Sequence, residues 1–318
     1  MQMQKNRTIA TGSKAHFWLR FKRTIAAKWP LYLMIIPGLI VVAVFNLAPM
    51  YGITIAFKRF MPSMGIVNSP WVGWYYFESL FSLPGTPRAI MNTLTIAVLK
   101  IVIGFPVPII VAILINEIRK MWYKKLVQTI IYLPHFISWV ILAGMLKNML
   151  STDGGIVNSF LVALGKEPIY FLGSNDWFRT ILITSDIWKG FGFSTIIFLA
   201  AITSIDPGLY EAARIDGANW LRCTWHVTVP GLMPIVILTS ILSLGNIMNA
   251  NFDQVFNLYS PRVYETADII DTFVYRISLV DFSYSLGTAI GLFKSVISFI
   301  LLSISYYLAY KYSDYRIF

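Results

Sequence analysis

Six stretches of mostly apolar residues dominate this chain, and each is long enough to cross a lipid bilayer. A helix needs about 20 such residues to traverse the hydrocarbon core, where only helices and closed barrels satisfy their own backbone. Hydrophobic residues make up 57% of the chain and charged residues 13%, which excludes a soluble domain. The sequence therefore predicts an all-α membrane protein with six transmembrane helices, at 31–57, 89–116, 126–146, 178–204, 229–247 and 286–310.

The distribution of Lys and Arg predicts the orientation of these helices. With the N-terminus inside, 15 of these residues lie in cytoplasmic segments and eight in external loops. Short basic loops are retained in the cytoplasm, so we expect both termini there. Residues 1–30 form a basic cytoplasmic segment, in which 16–29 resembles a helix lying among lipid headgroups. The first span, 31–57, then precedes a five-helix core at 89–310 and a cytoplasmic tail at 311–318.

Charge and cysteine content narrow the classes of function. The net charge of +11 is explained by this topology, so we do not expect nucleic acid as a partner. The single cysteine, Cys223, excludes an internal disulfide, and the three histidines lack the paired spacing of metal sites. We therefore expect neither redox chemistry nor a metal centre.

The predicted cytoplasmic loop between the fourth and fifth spans, 205–230, contains a short helix. Asp206 is a good N-cap, Pro207 suits the first helical position, and Gly217 accepts the left-handed conformation that ends many helices. Small side chains in the middle of this helix would let another protein approach its backbone. The alternative is a helix that only caps the bundle.

This loop resembles a motif of binding-protein-dependent ABC importer permeases. The matching residues are Glu211, Ala212 and Ala213, then Gly217, then 227–230 with the sequence Val-Thr-Val-Pro. The resemblance implies the type I permease fold, in which this loop forms a coupling helix that sits in a cleft of the ATPase subunit. Matching positions then assign ATPase coupling to Glu211, Ala212, Ala213, Arg214, Asp216 and Gly217.

Segments 244–261, 263–265 and 271–276 resemble the branch of this family that imports oligosaccharides and polysaccharide fragments, including an alginate-type importer. The resemblance implies a bacterial inner membrane, a second and different permease chain, two ATPase subunits that bind ATP and Mg, and an extracytoplasmic binding protein. This chain would bind no cofactor and would not be an enzyme. The alternatives are a permease for a simple sugar or glycerol-phosphate type solute, and a membrane enzyme acting on lipid-linked sugars.

Polar residues near the end of the fifth span are candidates for the substrate pathway. If that helix continues, Asn246, Asn249 and Asp253 lie on one face. Phe252 and Phe256 adjoin that face and could stack on sugar rings. The alternative is hydrogen bonding between helices, a common use of asparagine in membrane bundles.

Lysines inside the predicted spans are the other pathway candidates, because a charge at membrane depth needs a partner or water. Asp186 lies one turn from Lys189, next to Trp188, and predicts a local ion pair. Lys294 has no local partner, which suggests a pathway for an acidic sugar. Pro134 interrupts the third span, either as a packing kink or as part of that pathway.

Overall fold

The computed structural model describes residues 28–313 as a bundle of helices, so the predicted interfacial helix at 16–29 and the end of the tail lie largely outside the described residues. Within residues 28–313, five helices are long and apolar enough to cross a membrane. A bent pair of helices, if counted as one span, makes a sixth. The only β pairing among residues 28–313 is an isolated bridge between Lys58 and Trp71. The all-α prediction is confirmed.

The spans are Lys28–Phe57, Gly85–Asn116, the pair Met121–Phe136 and Trp139–Met149, Asn175–Thr203, Trp220–Gly245 and Tyr284–Ser313. Short helices connect them at Gly65–Asn68, Tyr75–Ser82, Ile156–Ala163, Pro207–Ile215, Phe252–Leu258, Tyr264–Ala267 and Ile270–Tyr275. We number the spans one to six in chain order and call Pro207–Ile215 the loop helix.

The third span differs from the continuous helix that the sequence predicts. Its two halves meet at an angle of 97°. Pro134 lies in a turn of 3-10 helix, Ile137 is extended, and Ser138 begins the second half by accepting a hydrogen bond from Ile141 N–H at 3.3 Å. Proline breaks the helical ladder, and the serine caps a new helix in another direction.

A lysine of the fourth span stabilises this break. Lys189 Nζ donates a hydrogen bond to the backbone oxygen of His135 at 2.6 Å and lies 5.7 Å from the ring centroid of Trp139. The predicted ion pair between Lys189 and Asp186 is therefore wrong. In the membrane, a backbone carbonyl left without its helical hydrogen bond needs another donor. The carbonyl of His135 accepts this bond from the Lys189 ammonium group, which therefore does not pair with Asp186.

Gly192 allows the fourth span to cross the third at very short range. A Cβ atom at this position would lie 1.9 Å from the backbone oxygen of Ile131. Small residues at such crossings let helices pack by close van der Waals contact, which drives association in lipid.

Three apolar clusters lie at the two ends of the bundle. One, containing Ala112, Phe198 and Leu232, joins spans two, four and five near the loop helix. Two others lie at the opposite end. There the spans are packed by the short helices Tyr75–Ser82, Phe252–Leu258, Tyr264–Ala267 and Ile270–Tyr275. The first span contributes little, because the apolar window of its helix is 0% buried in this chain.

We predict that Gly192→Ala lowers the stability of the protein, because the added methyl group meets backbone atoms that cannot rotate away. Overpacking of this kind costs about 1–3 kcal/mol. Gly190→Ala is the matched control, since it lies in the same helix with nothing within 4 Å of its added Cβ. Thermal unfolding in detergent should show a lower midpoint for Gly192→Ala than for Gly190→Ala, and equal midpoints would contradict the close crossing.

Candidate functional site

The loop helix has the limits that the sequence predicts. It runs over Pro207–Ile215, and the Asp206 carboxylate accepts a hydrogen bond from Gly208 N–H at 2.9 Å. Gly217 has a φ of 78°, the left-handed conformation expected after the last turn. The helix follows directly from the local chemistry of Asp206, Pro207 and Gly217.

This helix is a protrusion and buries none of its residues in the chain. Leu209 is 53% exposed and Ile215 is 86% exposed, whereas Ala213 is half-buried. The other predicted coupling residues, Glu211, Ala212, Arg214, Asp216 and Gly217, are all exposed. A helix that capped the bundle would bury an apolar face, so this arrangement favours contact with another protein.

The fifth span does not continue as a helix, so the condition for placing Asn246, Asn249 and Asp253 on one helix face is not met. The helix ends at Gly245, and Asn251 adopts the left-handed conformation with a φ of 72° before a separate helix, Phe252–Leu258, begins. Asn251 also caps that helix, because its side chain accepts a hydrogen bond from Gln254 N–H at 3.4 Å. Asparagine tolerates this conformation better than most residues, which explains why the chain turns there.

Part of the predicted polar face nevertheless forms a cavity. Asn249, Phe252 and Asp253 line a space of about 460 Å³ together with Asn251, Lys100 and Asp186. Asn246 lies outside it and donates a hydrogen bond to Leu242 O at 3.2 Å. The turn after the fifth span thus brings together two of the three residues that the helical pattern assigned to one face.

Lys100 and Asp186 form an ion pair at 3.3 Å that the sequence analysis missed. Lys100 also donates to Gln254 Oε1 at 2.5 Å and to Ala250 O at 3.2 Å, while Asn251 donates to Asp186 at 3.0 Å. Lys100 lies in the middle part of span two and Asp186 in the middle part of span four. Their similar depth in the membrane is the feature of the sequence from which this ion pair could have been predicted.

The same ion pair also borders a second cavity of about 430 Å³ between spans two, four and five. That cavity is mostly apolar, with Phe105, Ile187 and Phe191 in its lining. Besides the ion pair, its polar groups are the hydroxyls of Ser194, Thr239 and Ser243. A buried charge pair in the membrane is costly unless it is fully hydrogen-bonded. Lys100 meets that condition, since its three acceptors match the three donors of an ammonium group.

Aromatic rings continue from the polar cavity away from the ion pair. Phe252 and Phe256 stack with centroids 5.1 Å apart, and Tyr275 contacts Phe256 at 4.9 Å. Beyond them Tyr259 lies 5.2 Å from Tyr264, and burial raises the pKa of Tyr259 to about 12, so it stays a neutral hydroxyl. Phe256 is 38% exposed, which leaves part of this cluster open.

A network of hydrogen bonds holds the segment beyond these rings against spans two and four. Arg276 binds Asp268 at 2.5 Å. Asn92 donates to the backbone oxygen of Asp268 at 3.1 Å, and Arg179 donates to Asn92 at 2.8 Å and to Thr266 O at 3.1 Å. This network holds the segment 266–276 in place beside the cavity, at the end of the bundle opposite the loop helix.

The remaining pathway candidates, Phe256, Trp188, Lys189 and Lys294, do not line the polar cavity. Lys294 has no partner within its own helix turn, as the sequence indicates, but it forms an ion pair with Asp271, 23 residues away in the sequence. The pathway role of Lys294 therefore stays a prediction that its free charge no longer supports. Trp188 is 47% exposed and lines neither cavity described above. Among the described residues no group of three or more His, Cys, Asp or Glu side chains could hold a metal ion.

Comparisons with known proteins agree with this architecture. A solved structure of a bacterial ABC transporter involved in the import of the acidic polysaccharide alginate has a chain that matches with a TM-score of 0.86 and 40% identity. The match covers 92% of this chain and 99% of that one. A second, of a bacterial alginate ABC transporter in complex with an alginate pentasaccharide-bound periplasmic protein, matches with a TM-score of 0.85 and 39% identity, covering 92% and 98%.

Sequence relatives agree with the structures. The polygalacturonan/rhamnogalacturonan transport system permease protein YteP of Bacillus subtilis is 43% identical over 91% of this chain and 90% of its own length. Protein LplB of the same organism is 40% identical over 99% of this chain and 98% of its own. Residues 104–318 match the family described as the binding-protein-dependent transport system inner membrane component. The chain is therefore a member of that family of ABC transporter permeases.

Proposed function

We propose that this chain forms half of the translocation pathway of an ATP-driven importer for an oligosaccharide or polysaccharide fragment. The observation that carries the proposal is the match over nearly the whole chain to the alginate importer structures. The polar cavity beside the fifth span supports it, since carboxylate and amide groups hydrogen-bond sugar hydroxyls and an aromatic ring offers an apolar face.

The importer would need several partners. We propose a second, different permease chain, two ATPase subunits in the cytoplasm and an extracytoplasmic binding protein that delivers the sugar. The sequence lacks the Gly-rich Lys-Ser/Thr loop that cradles ATP phosphates, so ATP and Mg would bind the ATPase subunits. In a bacterial inner membrane, the loop helix and both termini would face the cytoplasm, where the basic segments lie.

The loop helix would transmit the work of ATP hydrolysis. Its exposed Leu209 and Ile215 would enter a cleft of an ATPase subunit, with Glu211 and Arg214 available for charged contacts. Closure of the ATPase dimer would then move the loop helix and open the bundle outward, and hydrolysis would reset it. The external segments 147–177 and 248–285 would receive the binding protein.

The proposal that the substrate is acidic is supported only by the names of the relatives and structural neighbours. Lys294 no longer supports it, because Asp271 neutralises its charge, and Lys100 is saturated by three acceptors. Polygalacturonan and alginate appear in the names of the relatives and structural neighbours. An acidic oligosaccharide is therefore our first candidate, ahead of a simple sugar or glycerol-phosphate type solute. A membrane enzyme would need a catalytic constellation that the described cavities do not show.

We predict that Gly217→Val uncouples transport whereas Gly217→Asn largely preserves it. A Cβ at Gly217 meets nothing within 4 Å, so space does not limit either substitution. The left-handed backbone conformation is what limits them. It destabilises a β-branched residue by about 1–2 kcal/mol and asparagine by less. The measurement is substrate-stimulated ATPase activity of the complete complex in proteoliposomes, and equal activity of the two variants would contradict the prediction.

Reversal of a charge on the loop helix tests the ATPase contact itself. We expect Glu211→Lys to abolish stimulated ATP hydrolysis while the protein still inserts, because Glu211 is exposed and supports no bond within the described chain. Glu78→Lys is the control, because it is the same charge reversal at an exposed residue of the helix Tyr75–Ser82, outside the segments proposed to receive the binding protein. If Glu211→Lys keeps the full substrate-stimulated ATPase activity, the proposed coupling role of the loop helix is wrong.

The cavity is tested by two substitutions of the same residue type. We expect Asn249→Leu to reduce oligosaccharide uptake at least tenfold, as about 1.4 kcal/mol of lost binding would, because the amide lines the cavity. Asn246→Leu, outside the cavity, should retain uptake. If Asn249→Leu lowers only the unfolding midpoint and leaves uptake intact, the residue has a structural role.

A further inference from the structure

The base of the loop that carries the loop helix is closed by two contacts. At its entry Ile205 packs against Gly231 so closely that a Cβ on Gly231 would lie 2.6 Å from Ile205 Cδ1. One turn into the helix, the Tyr210 hydroxyl lies 3.0 Å from the Thr228 hydroxyl. The chain thus leaves span four and returns to span five through one contact region.

Tyr210 is the side chain through which the loop helix reaches the fifth span. The helix buries none of its residues, and the cap at Asp206 bonds only within the helix's own first turn. In contrast, Tyr210 is half-buried and Thr228 is 5% exposed. Among the described residues, no other side-chain hydrogen bond joins the loop helix to this span.

Thr228 lies at the end of an unusual turn. Thr224–Thr228 is a π-helix, in which Val229 N–H donates to Thr224 O, and Pro230 follows without a backbone donor. A π turn is a local widening of the helix that often occurs at functional sites. Thr228 ends it, so the Tyr210 bond attaches where the helix geometry of span five changes.

From these contacts we propose that the Tyr210–Thr228 hydrogen bond is a positioning link that makes the loop helix and the cytoplasmic start of the fifth span move together. The proposal rests on the coupling role of the loop helix given above. When an ATPase subunit moves the loop helix, this bond transmits the movement to span five. Span five then transmits it to the turn that builds the polar cavity. Tyr210 and Thr228 bind no substrate in this scheme.

Two variants that remove one hydroxyl each test the link. Tyr210→Phe and Thr228→Val keep the shape of the side chains, and Tyr210→Phe/Thr228→Val closes a double-mutant cycle. The readout is the ratio of stimulated to basal ATPase activity of the complete complex in proteoliposomes. Oligogalacturonides and alginate oligosaccharides, loaded on the cognate binding protein, serve as the probes.

We expect each single variant to lower that ratio about two- to tenfold, the range for one net hydrogen bond. The double variant should be no worse than the more affected single variant. Thr184→Val is the control, because its hydroxyl bonds only within its own helix and it lies outside both sites. A structural role alone would lower the unfolding midpoint and leave the ratio unchanged.

The lone cysteine gives a second measurement that needs no substrate. Cys223 is 7% exposed and lies in the first turn of the fifth span, between the loop helix and the π turn. Tyr210→Phe should raise the rate of maleimide labelling of Cys223 about two- to tenfold in the assembled complex. Thr184→Val should not raise it.

The outcomes separate the link from the coupling role. If Gly217→Val loses stimulation while Tyr210→Phe and Thr228→Val keep the wild-type ratio and labelling rate, the link is wrong and the loop helix still couples. If Gly217→Val and Glu211→Lys also keep the full substrate-stimulated ATPase activity, both the link and the coupling role of the loop helix are wrong. Additive losses in the double variant would also overturn the proposal.

Discussion

Two lysines within the spans donate to backbone carbonyls at points where the membrane helices stop, and the architecture depends on them. Lys189 binds His135 O at the break of the third span, and Lys100 binds Ala250 O after the end of the fifth. In lipid an unpaired carbonyl costs several kcal/mol, so non-helical backbone persists only where protein groups satisfy it. These bonds permit a bent span and a turn inside the bundle, and the turn carries the polar cavity.

The features that the sequence predicted well are those set by neighbours along the chain. The six apolar stretches follow from bilayer thickness, and the loop helix follows from Asp206, Pro207 and Gly217. A cap, a first-turn proline and a left-handed glycine each act within one turn. Such signals need no knowledge of the rest of the fold.

The features that the sequence missed depend on contacts between distant segments. Asp186 is one turn from Lys189 but pairs with Lys100 of another span, and Lys294 pairs with Asp271. Pro134 marked a break, but the 97° bend depends on Gly192 and Lys189 of the fourth span. Periodicity likewise could not show that the fifth span stops at Gly245, because asparagines fit a helix face as readily as a turn.

The exposure of the first span has a consequence for biogenesis and for the effect of substitutions. Its contact with the bundle is concentrated at its end, where Ser285 of the sixth span binds the backbone of Lys58 and Phe60. The preceding turns can enter the bilayer as an autonomous anchor as soon as they are synthesised. Within this chain, hydrophobicity and length constrain those turns more than shape does, so exchanges among aliphatic residues along most of this helix should disturb the packing of the bundle less than exchanges at the crowded crossing beside Gly192.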